Sequence, residues 1–276
     1  MTAPKAFVAG WPVGHSRSPL IHRFWLARHA IEGDYVAEAV PPLSIGAFLG
    51  EIGRRGYVGG NITLPHKEAT FGACREMTPI AQRLMAVNTV WLDGDVLHGD
   101  NTDAFGFAAN LDQGAPDWRS ASLALVIGAG GASRAVADAL VEGGPKSIIV
   151  LNRTKARAFD LARQFRARVA AGGLDEMPNF LPQADLIVNA TSGGLAGEAG
   201  VAVDWRAARP DAIATDLVYV PLMTPFLTEA AARGLRTVDG LGMLLHQAVP
   251  GFECWFGIRP TVDAELRDIV VADIER

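Results

Sequence analysis

At 276 residues, with 49% hydrophobic and 20% charged, the chain is long enough to bury one large or two medium cores and has an ordinary soluble globular composition. A formal net charge of −5 and a pI near 5.7 leave no electrostatic footprint for nucleic acid or an anionic membrane, so any anion site must be local. Two cysteines, Cys74 and Cys254, exclude a disulfide framework or a thiolate metal site; both are expected to be buried or inert thiols in a reducing cytoplasm.

The N-terminus, Met1 to Lys5, runs straight into the apolar Ala6-Phe7-Val8-Ala9-Gly10, without the charged lead and long apolar stretch of a secretion signal. No apolar run reaches the ~18 residues that cross a bilayer, so no membrane partner is expected. Phe7-Val8-Ala9 reads as a strand and Pro19 to His29 as a helix, with Ser18 as its N-cap and Pro19 at the first helical position. Leu43 to Arg54 carries Ile45, Phe48, Leu49 and Ile52 at helical spacing, and Tyr57 to Thr63 returns to strand and loop.

From Ser122 the alternation of strands and helices becomes longer and cleaner. Leu123 to Ile127, Ser147 to Leu151, Leu186 to Val188, Ala212 to Thr215 and Thr237-Val238 are near-continuous apolar runs, as strands of a parallel sheet covered on both faces would be. Leu241, Leu244, Leu245, Ala248, Phe252, Trp255 and Phe256 then recur at three and four, one apolar face of a long helix. The pattern predicts an α/β protein of two domains with boundaries near Phe105 and Gly240. Where the C-terminal helical piece packs is left open by pattern alone.

Gly128-Ala129-Gly130-Gly131-Ala132 follows the strand at Leu123 to Ile127 and opens a helix, the context of a Rossmann-type dinucleotide turn. Gly128 permits the tight turn, Gly130 lets backbone approach a pyrophosphate, and the helix N-terminus offers unpaired N–H groups. Ser133 stands where that fingerprint has Gly or Ala. The next strand ends in Asn152-Arg153-Thr154, followed by Arg157, where an NAD site would place an acid. A guanidinium there favours a 2′-phosphate through paired charge-assisted bonds, so NADP is the expected cofactor.

Polar loops point to a small ligand. Gly14-His15-Ser16-Arg17-Ser18 puts two hydroxyls ahead of a helix, suited to a carboxylate or diol, although Ser18 could serve only as a cap. Asn61 and Thr63 precede Lys67, Asn88 and Thr89 lie together, and Asp100-Asn101-Thr102-Asp103 follow. Asn, Asp and Thr are routine turn residues, yet three such loops suit a polyhydroxylated molecule. Lys67 and Asp103 are the candidate proton-transfer pair. His15 and His22 have no zinc-like spacing around them, so no metal is expected.

Taken in order, these motifs resemble the shikimate dehydrogenase family along nearly the whole chain. Gly14 to Pro19 matches the family's serine motif, Asn61 to Lys67 its lysine motif, Ala86 to Thr89 its Asn motif, and Gly99 to Asp103 its aspartate motif. The glycine turn, Asn152-Arg153-Thr154, Asn189 to Ser192, Tyr219 before Thr224-Pro225, and Asp239 to Leu244 with Gln247 complete the set. The resemblance implies residues 1–104 plus 241–276 as a substrate-binding and catalytic domain, closed by the returning C-terminal helices, and residues 105–240 as an NADP-binding Rossmann domain, with a cleft between them.

It further implies reversible NADP-linked oxidation of shikimate at its C3 hydroxyl to 3-dehydroshikimate. Ser16, Ser18 and Tyr219 would hold the carboxylate, and Thr63, Lys67, Asn88, Asp103 and Gln247 the ring hydroxyls. Gly128, Ala129, Gly130, Gly131, Ala132, Asn152, Arg153, Thr154, Arg157, Leu217 and Gly240 would hold the cofactor. Leu217 sits where many members carry Met, Phe226 replaces a common Leu, and Gly193-Gly194-Leu195 is a variant stretch. Two other readings stay open: a sister enzyme that takes quinate or NAD, and a non-catalytic nucleotide sensor. The small molecule is the expected partner, and a homodimer is left open.

Overall fold

The computed structural model describes residues 3–165, 168–193 and 200–276. Gly194 and Leu195 of the variant stretch lie outside the described residues. The chain divides into two compact units, Met1–Thr102 with Gln247–Arg276, and Asp103–His246.

In the first unit the chain runs β1 (Lys5–Gly10), α1 (Ser18–Arg28), β2 (Asp34–Ala39), α2 (Ile45–Leu49), β3 (Tyr57–Ile62), α3 (Lys67–Ala73), β4 (Glu76–Met77), α4 (Pro79–Leu84), β5 (Thr89–Asp93) and β6 (Val96–Asp100). Its six-stranded sheet has the order β2-β1-β3-β5-β6-β4. β1 is parallel to β2 and β3, whereas β5 is antiparallel to β3 and β6, so the sheet is mixed. Two glycines let β3 pass under large rings. A Cβ at Gly59 would lie 2.3 Å from Trp255 Nε1, and one at Gly60 would lie 2.5 Å from the Phe7 carbonyl oxygen.

Three local expectations are corrected here. Helix α1 begins at Ser18 itself, because Arg17 already has helical backbone angles and occupies the cap position, with no side-chain cap bond; Ser18 is not the cap, and Pro19 is the second helical residue. The helix expected over 43–54 reduces to a 3₁₀ turn at Pro42–Ser44 followed by α2, which ends at Gly50. Glycines at 50 and 53 weaken helix continuation, yet Ile45, Phe48, Leu49 and Ile52 are all buried as the spacing requires. The segments around Thr89 and Asp100 are paired strands of a hairpin rather than loops, with Thr89 opposite Asp100 and Gly94 in the left-handed region at the turn.

The second unit runs α5 (Asp103–Gly114), β7 (Leu123–Ile127), α6 (Gly131–Gly143), β8 (Ser147–Asn152), α7 (Lys155–Gln164), β9 (Val169–Gly173), α8 (Met177–Phe180), β10 (Leu186–Asn189), β11 (Ile213–Asp216), α9 (Pro225–Ala232) and β12 (Arg236–Val238). Its strands are all parallel, in the order β12-β11-β10-β7-β8-β9. This is the doubly wound Rossmann order, whose direction reverses between β7 and β10; ligands of such sheets bind outside the strand ends at that point. Leu125, Val126, Ile127, Ile187 and Val188 are fully buried, which is why these strands carry no alternation.

Helices α10 (Leu241–Phe256) and α11 (Ala264–Ile274) follow. The division between units falls inside α10, at 246/247, rather than in a linker. Its C-terminal half and α11 complete the first unit. Trp255 Nε1 donates to the Val90 carbonyl (2.9 Å), Trp25 Nε1 to the Thr261 carbonyl (3.1 Å), and Arg17 pairs with Asp273 (3.1 Å). Of the two thiols, Cys74 is buried and Cys254 is exposed on α10. Both are nonetheless pushed up to about 11, Cys74 by burial and Cys254 by partial burial with Asp100 and Glu253 nearby, so neither is a ready thiolate.

Candidate active site

Lys67 is the first residue of α3, half-buried, after a turn in which His66 N–H donates to the Thr63 carbonyl (3.0 Å). The buried His66 ring anchors that turn through a 2.7 Å bond between Nε2 and the Val40 carbonyl. The backbone of Lys67 is joined to the Asn88 segment, since its carbonyl accepts from Val87 N–H (3.0 Å). Asn88 in turn fixes Thr102: Asn88 Oδ1 accepts from Thr102 N–H (2.8 Å), and Nδ2 donates to Thr102 Oγ1 (3.1 Å). Thr102 immediately precedes Asp103, which opens α5, where the helix dipole favours a carboxylate. One continuous set of bonds therefore runs from Lys67 to the residue before Asp103.

A second layer lies beneath. Tyr35 OH donates to Asn61 Oδ1 (2.6 Å), Asn61 Nδ2 donates to Thr89 Oγ1 (3.2 Å), and Thr89 Oγ1 donates to Asn88 Oδ1 (2.9 Å). All four side chains are buried, and mutual pairing is what makes burying them tolerable. His22 stacks on Tyr35 with ring centroids 4.0 Å apart. Burial pulls its pKa down to about 3, with the Asn61 side chain acting in the opposite sense, so the ring is neutral. Asn61 and Thr102, expected only as members of polar loops, act here as the bonded support of the site, and Tyr35 is a supporting residue that no sequence motif marks. At the start of α1, Ser16 Oγ donates to Ser18 Oγ (3.3 Å) and accepts from Ser18 N–H (3.3 Å), so the two hydroxyls form one polar face. Gln247 is buried on α10.

In the second unit, Gly128 follows β7 with φ +112°, and a Cβ there would lie 2.9 Å from the Ala190 carbonyl, so only glycine fits. Three amides of the turn are already engaged: Gly128 N–H with the Leu151 carbonyl (2.7 Å), Ala129 N–H with Asn152 Oδ1 (3.3 Å) and Gly130 N–H with Ser133 Oγ (3.0 Å). Ser133, the departure from the fingerprint, is thus a helix-capping group. Gly131 and Ala132 begin α6 exposed, and nothing lies within 4 Å of a Cβ built at Gly130 or Gly131. An open, glycine-surfaced helix start of this kind fits a diphosphate.

A cavity of about 800 Å³ adjoins it, lined by Gly128, Asn152, Arg153, Met177, Thr191 and Val201 among others. Arg153, Thr154 and Arg157 are exposed at the end of β8 and the start of α7. Lys155 between them pairs with Asp175 (3.2 Å) and Glu176 (3.0 Å), whereas among the described residues neither Arg153 nor Arg157 has an ion-pair partner. Asn152 Nδ2 donates to the Thr154 carbonyl (3.0 Å), which shapes the turn that presents them. The residues present therefore fit a 2′-phosphorylated dinucleotide. Leu217 and Gly240 meet as well: a Cβ on Gly240 would stand 2.5 Å from the Leu217 carbonyl oxygen. Tyr219, two residues on, is half-buried.

Comparison with known proteins agrees with this arrangement. The family model for the shikimate dehydrogenase substrate-binding domain matches residues 8–90, that for shikimate/quinate 5-dehydrogenase residues 113–196, and that for the shikimate 5′-dehydrogenase C-terminal domain residues 240–264. A shikimate dehydrogenase (NADP⁺) of Mesorhizobium japonicum is 53% identical over 98% of this chain and 96% of its own length. One of Brucella melitensis is 52% identical over 99% and 95%. Among solved structures, shikimate 5-dehydrogenase of Thermus thermophilus in complex with NADP(H) and shikimate superposes with a TM-score of 0.88, at 39% identity and covering 98% of this chain and 99% of that one. Quinate dehydrogenase of Corynebacterium glutamicum in complex with NAD superposes with a TM-score of 0.91, at 30% identity over 98% and 99%. With its motifs, its two sheets and its relatives in agreement, the chain belongs to the shikimate dehydrogenase family.

Proposed function

We propose that this protein is a cytoplasmic enzyme catalysing the reversible NADP(H)-dependent reduction of 3-dehydroshikimate to shikimate, on the route to chorismate and the aromatic amino acids. Beside the relatives of about 50% identity, one observation supports it most directly: the bonded path from Lys67 through Val87 and Asn88 to Thr102, the residue before Asp103. Such a path holds a lysine and an acid in a fixed setting, as proton transfer requires.

When bound, NADP supplies the nicotinamide that exchanges hydride with the substrate carbon. The protein's own work is binding, orientation and proton handling. Ser16, Ser18 and Tyr219 take the substrate carboxylate, and Thr63, Asn88 and Gln247 take ring hydroxyls. Lys67 bonds the reacting oxygen, Asp103 orients the amine, and the two share the hydroxyl proton. Gly128, Ala129, Gly130, Gly131 and Ala132 receive the diphosphate, Asn152, Arg153, Thr154 and Arg157 the adenosine end with its 2′-phosphate, and Leu217 and Gly240 the nicotinamide end.

The likeness to a quinate dehydrogenase with NAD favours one second reading, a broader substrate and cofactor range. Arg153 opposes the NAD half of that reading, because its guanidinium complements a phosphate rather than a ribose hydroxyl. Replacing Lys67 with Ala and measuring turnover at saturating shikimate and NADP tests the proposal. We expect kcat to fall by about a thousandfold, the scale of a lost acid–base group, and near-normal turnover would remove Lys67 from the chemistry.

A further inference from the structure

Asp216 ends β11 with its side chain fully buried. Burial pushes its pKa up, and hydrogen bonds from Asn189, Thr224, Val218 and Leu217 act in the opposite sense. A buried carboxylate is tolerated only where donors surround it. Here Oδ1 accepts from Val218 N–H (2.9 Å), and Oδ2 accepts from Asn189 Nδ2 (3.0 Å) and from the Thr224 hydroxyl (2.7 Å).

Each donor belongs to a different piece of the unit. Asn189 ends β10, and its Oδ1 accepts from both Thr191 N–H (3.1 Å) and Thr191 Oγ1 (2.7 Å); Thr191 lines the cofactor cavity. Thr224 caps α9, accepting from Leu227 N–H (3.3 Å). Val218 lies between Leu217 and Tyr219, and Leu217 N–H donates to the Asn189 carbonyl (3.0 Å). The backbone oxygens of Asp216 and Leu217 then press on Gly240, 2.7 and 2.5 Å from where its Cβ would stand.

We infer that Asp216 is a positioning residue for the reaction, tying the Leu217–Tyr219 segment to the Asn189–Thr191 edge of the cofactor cavity so that the nicotinamide and carboxylate contacts share one rigid frame. The inference rests on the roles given above to Leu217 and Tyr219. Fully buried, Asp216 touches no substrate and acts through these neighbours. Its carboxylate is suited to this because it accepts on both oxygens. An amide accepts on one side only, so Asn at 216 would set an N–H group against either Val218 N–H or the Asn189 amide.

The test compares Asp216→Asn with the double variant Asn189→Asp/Asp216→Asn, which reverses the polarity of the pair while keeping one buried charge. In the double variant the amide oxygen at 216 can still accept from Val218 N–H, and its NH₂ can donate to the new carboxylate at 189. We expect the single variant to raise KM for shikimate and lower kcat, each by about tenfold, with the preference for NADP over NAD unchanged. Amide exchange at Leu217 and Val218 in the cofactor-free protein should accelerate, and the double variant should recover most of both effects.

The inference is overturned if the single variant keeps wild-type KM, kcat and exchange. It is also overturned if its lost activity merely follows a lost folded fraction, with KM unchanged and no rescue. Should the single variant not fold, the double variant decides alone: wild-type KM and exchange support the role, and a raised KM with fast exchange refutes it. Wild-type protein without shikimate turnover would strike the proposed function instead, while exchange at Val218 would still judge Asp216.

Discussion

The two units build their candidate sites from different materials. In the first, buried side chains do the work: Tyr35, Asn61, Thr89, Asn88 and Thr102 bond to one another and lead to the neighbours of Lys67 and Asp103. In the second, the glycine-surfaced end of a helix stands at the reversal point of a parallel sheet, and two exposed arginines follow the neighbouring strand β8. The difference follows from the ligands. A small polyol is told from its isomers by directional side-chain bonds, whereas a diphosphate needs open backbone and positive charge. Substitutions in the two units should therefore fail in different kinetic constants.

The sharpest such contrast is between Lys67, whose loss should lower kcat, and Arg153. Arg153→Ala should raise KM for NADP by about tenfold to a hundredfold, the worth of a charge-assisted pair, and leave KM for NAD unchanged. An equal loss with both cofactors would break the 2′-phosphate assignment. Within the glycine turn, Gly128→Ala should destabilise the protein by about 2 kcal/mol, because it combines positive φ with contact on the Ala190 carbonyl. Gly130→Ala meets nothing within 4 Å and should leave chemical denaturation almost unchanged while weakening NADP binding. Denaturation midpoints and cofactor titrations on the two variants separate structure from ligand approach.

A smaller effect belongs to the first unit. His22 is neutral when folded, with a pKa of about 3 against an ordinary 6.5, so the unfolded chain takes up a proton that the folded one refuses. This contribution is fully present above pH 6.5 and is lost progressively as pH falls toward 3. Between pH 7 and pH 5.5 the loss should be about 1 kcal/mol, and His22→Phe should flatten that part of the slope. Urea unfolding followed by tryptophan fluorescence reads it, since Trp25 and Trp255 pack on the ring. A slope unchanged by the substitution would contradict the neutral assignment.

Much of this was legible in the residues, for identifiable reasons. Strands β7, β8 and β10 carry apolar runs because both faces are covered, and the buried Ala6-Phe7-Val8-Ala9 of β1 reads the same way. β9 escaped notice because Val169-Ala170-Ala171-Gly172-Gly173 has weak strand propensity and is held by pairing with β8. The β5/β6 hairpin hid behind its own chemistry, since Asn88, Thr89 and Asp100 read as turn residues, although Asp93-Gly94 marked the real turn. The motif residues themselves were visible, but not how they pair. Asn189 and Asp216 are matched by strand register, and Asn88 and Thr102 meet just beyond the open end of the β5/β6 hairpin, neither of which a local pattern reports.

The most direct test of the central claim is a steady-state comparison of purified protein with shikimate and with quinate, each with NADP and with NAD. The account predicts the highest kcat/KM for shikimate with NADP, falling in separate steps when either partner is exchanged. Equal or better turnover of quinate with NAD, or binding of NADP without turnover of either acid, would contradict it.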